Sequence, residues 1–196
     1  MTGSAHPCRG FTLLELMVTM VIAAILMMVA VPGFLSYQRS SAVYAATSSF
    51  SAALNAARAE AIKRAKPTFV MPTSGSDWSL GWMVFVDLDG DDAYDKTKGD
   101  VLVLTQAAVP SGVSVPVSTA APAFVAAAGV AYVRYDSYGI PRSNATTTLP
   151  LPNAVDFSAG SGSTRTTRRV ILGIVGRPRT CDPVNDPNTT CTLTVP

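Results

Sequence analysis

Residues 11–35 read FTLLELMVTMVIAAILMMVAVPGFL, apolar apart from two threonines and Glu15 before the Pro-Gly pair near its end. At 1.5 Å per residue, a run of about 25 residues covers a bilayer core of about 30 Å. An ordinary export signal has a shorter apolar stretch followed by a small-residue cleavage site. Here the small residue, Gly10, precedes the apolar stretch, so a cut there leaves the hydrophobic helix on the mature chain. This predicts a leader over residues 1–10, a transmembrane helix over 11–36 and a globular head over 37–196. Pro32 removes a backbone donor late in the span, and with Gly33 beside it marks the place for a bend.

From Tyr37 the helical pattern continues and changes character. Val43, Thr47, Phe50, Leu54, Ala57, Ala61 and Ala65 recur at intervals of three and four and form one apolar stripe, with Arg58, Lys63 and Arg64 mostly off it. The expected helix runs to about residue 66, where Pro67 ends it, and would be on the order of 80 Å long. Beyond it, short apolar runs separated by Gly, Pro and Asp predict strands over 68–71, 80–87, 101–105, 113–117, 130–136 and 169–175. Residues 120–128 are of low complexity and read as a loop or a thin strand, and 158–167 as a mobile loop. The predicted class is α+β: a long N-terminal helix, half transmembrane and half amphipathic, packed on an antiparallel sheet.

An ionisable group inside a membrane span costs on the order of 3 kcal/mol and tends to be functional, so Glu15 requires a reason. Arg9-Gly10-Phe11-Thr12-Leu13-Leu14-Glu15 resembles the motif of type IV prepilins, a Gly, then Phe, then Glu at the fifth mature position. The resemblance implies a type IV pilin fold, cleavage after Gly10 and N-methylation of Phe11 by a prepilin peptidase. It also implies pairing of Glu15 with the amino terminus of a neighbouring subunit. Two opposite charges that neutralise each other in an apolar filament core would fix axial register, because a mismatch leaves both unpaired. The plainer reading is a transmembrane anchor with one tolerated carboxylate.

The chain of 196 residues has one histidine and a net charge of +2. His6 lies upstream of Gly10, so the cut chain has no imidazole for a Ser-His-Asp or Cys-His arrangement or a His-based zinc site. No convergent catalytic set is visible, and neither an enzyme nor a cofactor is expected. The cut also removes Cys8 and leaves Cys181 and Cys191, ten positions apart, as an expected disulfide in an exported domain; two free thiols are the alternative.

Charge is unevenly distributed, with Asp dominating residues 77–100 and Arg dominating 134–179. Asp87, Asp89 and Asp91, with Asp95 beyond, place carboxylates at alternate positions around Gly90, as a hard cation would require. The run lacks the Glu that closes an EF-hand loop, and a solvated hairpin turn accounts for it equally. The preceding Gly81-Trp82-Met83-Val84-Phe85-Val86-Asp87, with its acidic turn, resembles the FimT/GspH group of minor pilins and pseudopilins.

Near the C-terminus lie Arg165, Arg168 and Arg169, then Gly176-Arg177-Pro178-Arg179. Guanidinium groups donate bidentate bonds to phosphate and stack on bases. Pro178 biases Arg177 toward extended geometry, and residues two apart on a strand share a face. The Gly-Arg-x-Arg pattern resembles the C-terminal motif of FimT proteins, minor pilins that bind DNA during natural transformation. It implies DNA contacts by Arg177 and Arg179 beside Gly176, with Arg165, Arg168 and Arg169 added on charge alone. Such binding would be to phosphates, independent of sequence and weakened by salt. The alternative is a structural subunit, a GspH-like pseudopilin of type II secretion or a FimU-like minor pilin, whose arginines are solvated or paired with acidic groups. Either way the expected partners are other pilins and the prepilin peptidase. The expected location is the inner membrane with a periplasmic head, then an extracellular pilus or periplasmic pseudopilus.

Overall fold

One helix, α1 (Leu13–Arg64, 52 residues), opens the computed structural model, which describes residues 11–115, 131–142, 153–162, 165–186 and 191. His6, Cys8 and Gly10, and the low-complexity stretch 120–128, lie outside the described residues. The chain divides into two units, Met1–Gln38 and Arg39–Pro196.

From Leu13 on, the first unit is helix. Thr12 precedes it, and the Thr12 hydroxyl accepts a bond from the Glu15 amide at 3.2 Å. This is half of a Ser/Thr-x-x-Glu capping box, which satisfies one of the amides orphaned at a helix start. Glu15 therefore has a local role at the helix start, where the dipole favours a negative charge. Leu13, Leu14, Met17, Met20 and Met28 are all exposed. Among the described residues no single helix is long and apolar enough to cross a membrane. A bent pair, Leu13–Met28 with Gly33–Arg64, passes by length and composition.

In the second unit the remainder of α1 is the spine of the core. Val43, Phe50, Leu54, Ala57 and Ala61 are fully buried, and buried Thr47 returns its hydroxyl to the Val43 carbonyl at 2.7 Å. Ala65 does not join this stripe: it is exposed, with φ 53°. The Lys66 amide reaches back to the Ala61 carbonyl at 3.3 Å, closing the helix in a left-handed cap just before Pro67.

Among the described residues nine strands follow: β1 (Thr68–Pro72), β2 (Trp82–Val86), β3 (Val101–Gln106), β4 (Val113–Ser114), β5 (Val133–Tyr135), β6 (Pro141–Arg142), β7 (Asn153–Ala159), β8 (Thr166–Leu172) and β9 (Pro178–Cys181). They form two antiparallel sheets, ordered β3-β2-β1-β5-β6 and β4-β7-β8-β9, rather than one. Phe50 joins both to the helix. Its ring lies 5.1 Å from those of Trp78 and Trp82 and 5.5 Å from that of Phe157, in the edge and tilted arrangements aromatic pairs prefer.

The second sheet departs most from expectation. β7 was not predicted, because Asn-Ala-Val-Asp-Phe-Ser-Ala has few β-formers, and its alternate positions Val155, Phe157 and Ala159 are what the core takes. β8 begins three residues earlier than predicted, so both ends of the expected loop over 158–167 lie on strands, residues 158–159 on β7 and 166–167 on β8. β9 starts on a proline, permissible at the first position of an edge strand.

Candidate nucleic-acid interface

The β8–β9 hairpin pairs Arg169 with Cys181, Val170 with Thr180, Ile171 with Arg179 and Leu172 with Pro178. The ladder then continues one step, the Gly173 amide donating to the Arg177 carbonyl at 3.2 Å. The chain reverses through residues 173–177, closed by the Gly176 amide on the Gly173 carbonyl at 2.9 Å.

Gly176 is the fixed point of this turn. It is buried and has φ +78°. A Cβ there would run into the Gly139 carbonyl oxygen and approach Tyr135 Cε1 to 3.0 Å and Arg58 Nε to 3.2 Å. Backbone conformation and space therefore both demand glycine. Tyr135 donates its hydroxyl to the Gly176 carbonyl at 3.2 Å, and burial pushes the pKa of that hydroxyl up, keeping the donor proton in place. Arg58 Nε donates to the Gly139 carbonyl at 3.1 Å. Helix α1, the β5–β6 turn and the β8–β9 turn thus meet at one point.

The β5–β6 turn is equally determined. One Asp136 oxygen accepts from the Tyr138 and Ile140 amides, each at 2.9 Å, and the other from Arg142 Nε at 2.9 Å. Partial burial raises the Asp136 carboxyl, but the bonds from Ile140, Arg142 and Tyr138 outweigh it and hold the group below its usual range.

The five arginines separate by environment. Arg177 and Arg179 are exposed, the first at the hairpin tip and the second on β9. Arg165 is exposed just before β8 and reaches the Ser158 hydroxyl at 3.2 Å. Arg168 is half-buried opposite Phe157, on the sheet face turned away from that of Arg169. Arg169 is engaged: Nε and Nη2 grip the two oxygens of Asp156 at 2.6 and 2.8 Å, and Nη1 reaches the Cys191 carbonyl at 3.4 Å. Asp156 thus supplies Arg169 with the bidentate partner that a phosphate would offer. Cys181 and Cys191 are joined in a disulfide with their Cα atoms 5.6 Å apart, buried with Ala154 and Ile171 on the same face as Arg169. What the sequence could not show was Asp156, thirteen residues from Arg169, because the pairing depends on β7.

The acidic run folds differently from expectation. Asp87, Asp89, Asp91 and Asp100 bring carboxylate oxygens within 4.8 Å of one another, while Asp95 is not in the group. Asp95 instead caps a short turn, accepting from the Thr97 amide at 2.8 Å and its hydroxyl at 2.6 Å. Buried Asp87 accepts from the Gly90 amide at 2.7 Å and the Asp92 amide at 3.2 Å. Buried Asp100 accepts from the Leu88 amide at 2.9 Å and the Asp95 amide at 2.8 Å. Lys98 pairs with both Asp89 and Asp91 and, through its bond, lowers the Asp91 carboxyl. The cluster thus carries its own ammonium group.

Comparison with known proteins supplies the family context. The family described as type II transport protein GspH matches residues 46–176, and the prokaryotic N-terminal methylation motif matches residues 6–31. The first match stops at Gly176, one residue short of Arg177. Two crystal structures of the type IV minor pilin FimU of Pseudomonas aeruginosa align with the chain at 13% identity. They cover 76% of this chain and 95% and 99% of their own, with TM-scores of 0.49 and 0.47. No curated protein matches by sequence.

Proposed function

The chain belongs to the GspH family and carries the N-terminal methylation motif, and from that premise we propose that it is a minor type IV pilin whose β8–β9 hairpin binds extracellular DNA, without sequence preference, for uptake in natural transformation. The broader role, a minor pilin or GspH-like pseudopilin that assembles with other pilins after processing by a prepilin peptidase, follows from family and motif. Within that role Gly10 is the cleavage site, Phe11 the methylated residue and Glu15 the partner of a neighbouring amino terminus. The apolar helix holds the subunit in the inner membrane until it enters the filament.

The DNA reading is carried by one observation: Arg177 is exposed at the tip of a hairpin that Gly176 anchors to the rest of the head. A guanidinium held there reaches a phosphate with little ordering cost, and Arg179 and Arg165 widen the positive surface. Arg169 supports it by tying β8 to β7 and to Cys191 of the disulfide.

The test is retardation of duplex DNA by the full chain in detergent at low salt. Wild type is expected to shift the duplex, and Arg177→Ala with Arg179→Ala to abolish the shift without altering the circular dichroism spectrum. Absence of a wild-type shift would return the chain to the purely structural reading, a GspH-like pseudopilin or FimU-like minor pilin. In that case the hairpin would contact a neighbouring subunit.

A further inference from the structure

We propose that Tyr138 is a base-stacking residue of the same surface, giving it a preference for single-stranded DNA; this rests on the DNA-binding reading above. Tyr138 sits at the tip of the β5–β6 turn and is 78% exposed, more than any other described tyrosine. Its chain neighbour Gly139 presents the carbonyl that Gly176 packs against, and Arg177 follows Gly176. The ring and the guanidinium are thus one residue on either side of a backbone contact.

The backbone under Tyr138 is held from two directions. Asp136 accepts from the amides of residues 138 and 140. Gly139 has φ +72° and abuts Ile62 and Arg58, so that a Cβ would approach Ile62 Cδ1 to 2.7 Å and Arg58 Cγ to 3.0 Å. An exposed aromatic ring on a turn this determined is presented with its ordering cost already met by the fold. Ile174 and Val175, exposed at 50% and 58% on the adjoining turn, extend the apolar part of the tip.

An arginine that tracks phosphates beside a ring that accepts a base is how proteins hold single strands without reading sequence. In a duplex the base faces are covered by their neighbours, so the ring adds affinity only where bases are unstacked. Arg177 serves both forms, and Tyr138 one.

The experiment compares the full chain in detergent with Tyr138→Ala, Tyr138→Phe and the Arg177→Ala, Arg179→Ala pair, on a single-stranded oligonucleotide and a duplex of equal length, by fluorescence polarisation at low salt. Tyr138→Ala is expected to weaken single-strand binding by about tenfold and duplex binding by less than about twofold, while Tyr138→Phe retains both. Photo-crosslinking with single strands carrying 5-iodouracil, mapped by mass spectrometry, is expected to label Tyr138, a result a structural role would not produce. Unchanged single-strand binding in Tyr138→Ala, with loss in the arginine pair, would overturn the stacking claim, leave the DNA reading in place and assign the ring to a protein contact. Equal losses on both forms would overturn it in favour of a folding effect. No binding of either form by wild type would remove both claims together.

Discussion

Between β2 and β3 the chain places aspartates at 87, 89, 91, 92, 95 and 100, and around the β8–β9 hairpin it places arginines at 165, 168, 169, 177 and 179. The two regions are comparable in charge density, and the fold treats them in opposite ways. The acidic loop turns inward: Asp87 and Asp100 are buried and spend their oxygens on backbone amides, and Lys98 pairs with Asp89 and Asp91. In the basic hairpin one arginine is engaged by Asp156 while Arg177 and Arg179 remain at the surface. The difference follows from reach. A carboxylate on a short side chain meets amides of its own turn, whereas a guanidinium on a long stem needs a partner placed by another strand or by a ligand.

The largest effect expected from breaking this arrangement lies in the acidic loop. Asp87→Ala removes a buried carboxylate that accepts two part-buried, charge-assisted bonds, from the Gly90 and Asp92 amides, and is expected to cost about 3 kcal/mol, measured by denaturant unfolding of the full chain in detergent. A cost under about 1 kcal/mol would mean that the carboxylate is not the loop's organiser.

Next in size is Gly176→Ala, which forces a side chain into a left-handed backbone conformation already filled by the Gly139 carbonyl. The expected destabilisation is about 2–3 kcal/mol, and DNA affinity should fall although every arginine is intact. Full DNA binding by that variant would detach the hairpin's geometry from its function.

The smallest effect concerns pH. The Asp136 carboxyl is held below its ordinary value of 3.8 in the folded chain. A group depressed on folding contributes stability that is present above its unfolded pKa and lost as pH falls through the folded one. The stability difference between wild type and Asp136→Asn should therefore hold at pH 5–7 and shrink below about pH 3.8, by well under 1 kcal/mol since the group is partly exposed. A difference that grows on acidification would reverse the sign assigned here.

How much of this was legible in the sequence depends on the range of the interaction. The apolar stripe of α1 from Val43 to Ala61, the strands carrying Trp82 and Val133 and the cysteine pair all come from local pattern. The capping box at Thr12 and Glu15 was equally local, but the motif drew attention to Glu15 as an assembly residue alone. β7 and the Asp156–Arg169 pair were hidden because a strand of Ala, Ser and Asp acquires its identity from its neighbours. The need for glycine at 176 was invisible for the same reason: the atom that excludes a side chain belongs to residue 139. Asp100 replaced Asp95 in the acidic group because β3 brings it back beside Asp87, a contact no alternation rule contains.

The central claim is that Arg177 and Arg179, exposed on the hairpin, meet DNA, and that Arg169, held by Asp156, does not. It is tested most directly by the salt dependence of duplex binding, as the slope of log K against log salt, for wild type, Arg177→Ala and Arg169→Ala. Each phosphate contact contributes about 0.9 to that slope. Arg177→Ala is expected to reduce its magnitude by about 0.9 with unfolding unchanged within about 0.5 kcal/mol. Arg169→Ala is expected to keep the wild-type slope while losing about 2 kcal/mol of stability, because Asp156 is left half-buried and unpaired. A slope unchanged by removal of Arg177, or lowered by removal of Arg169 alone, would contradict it.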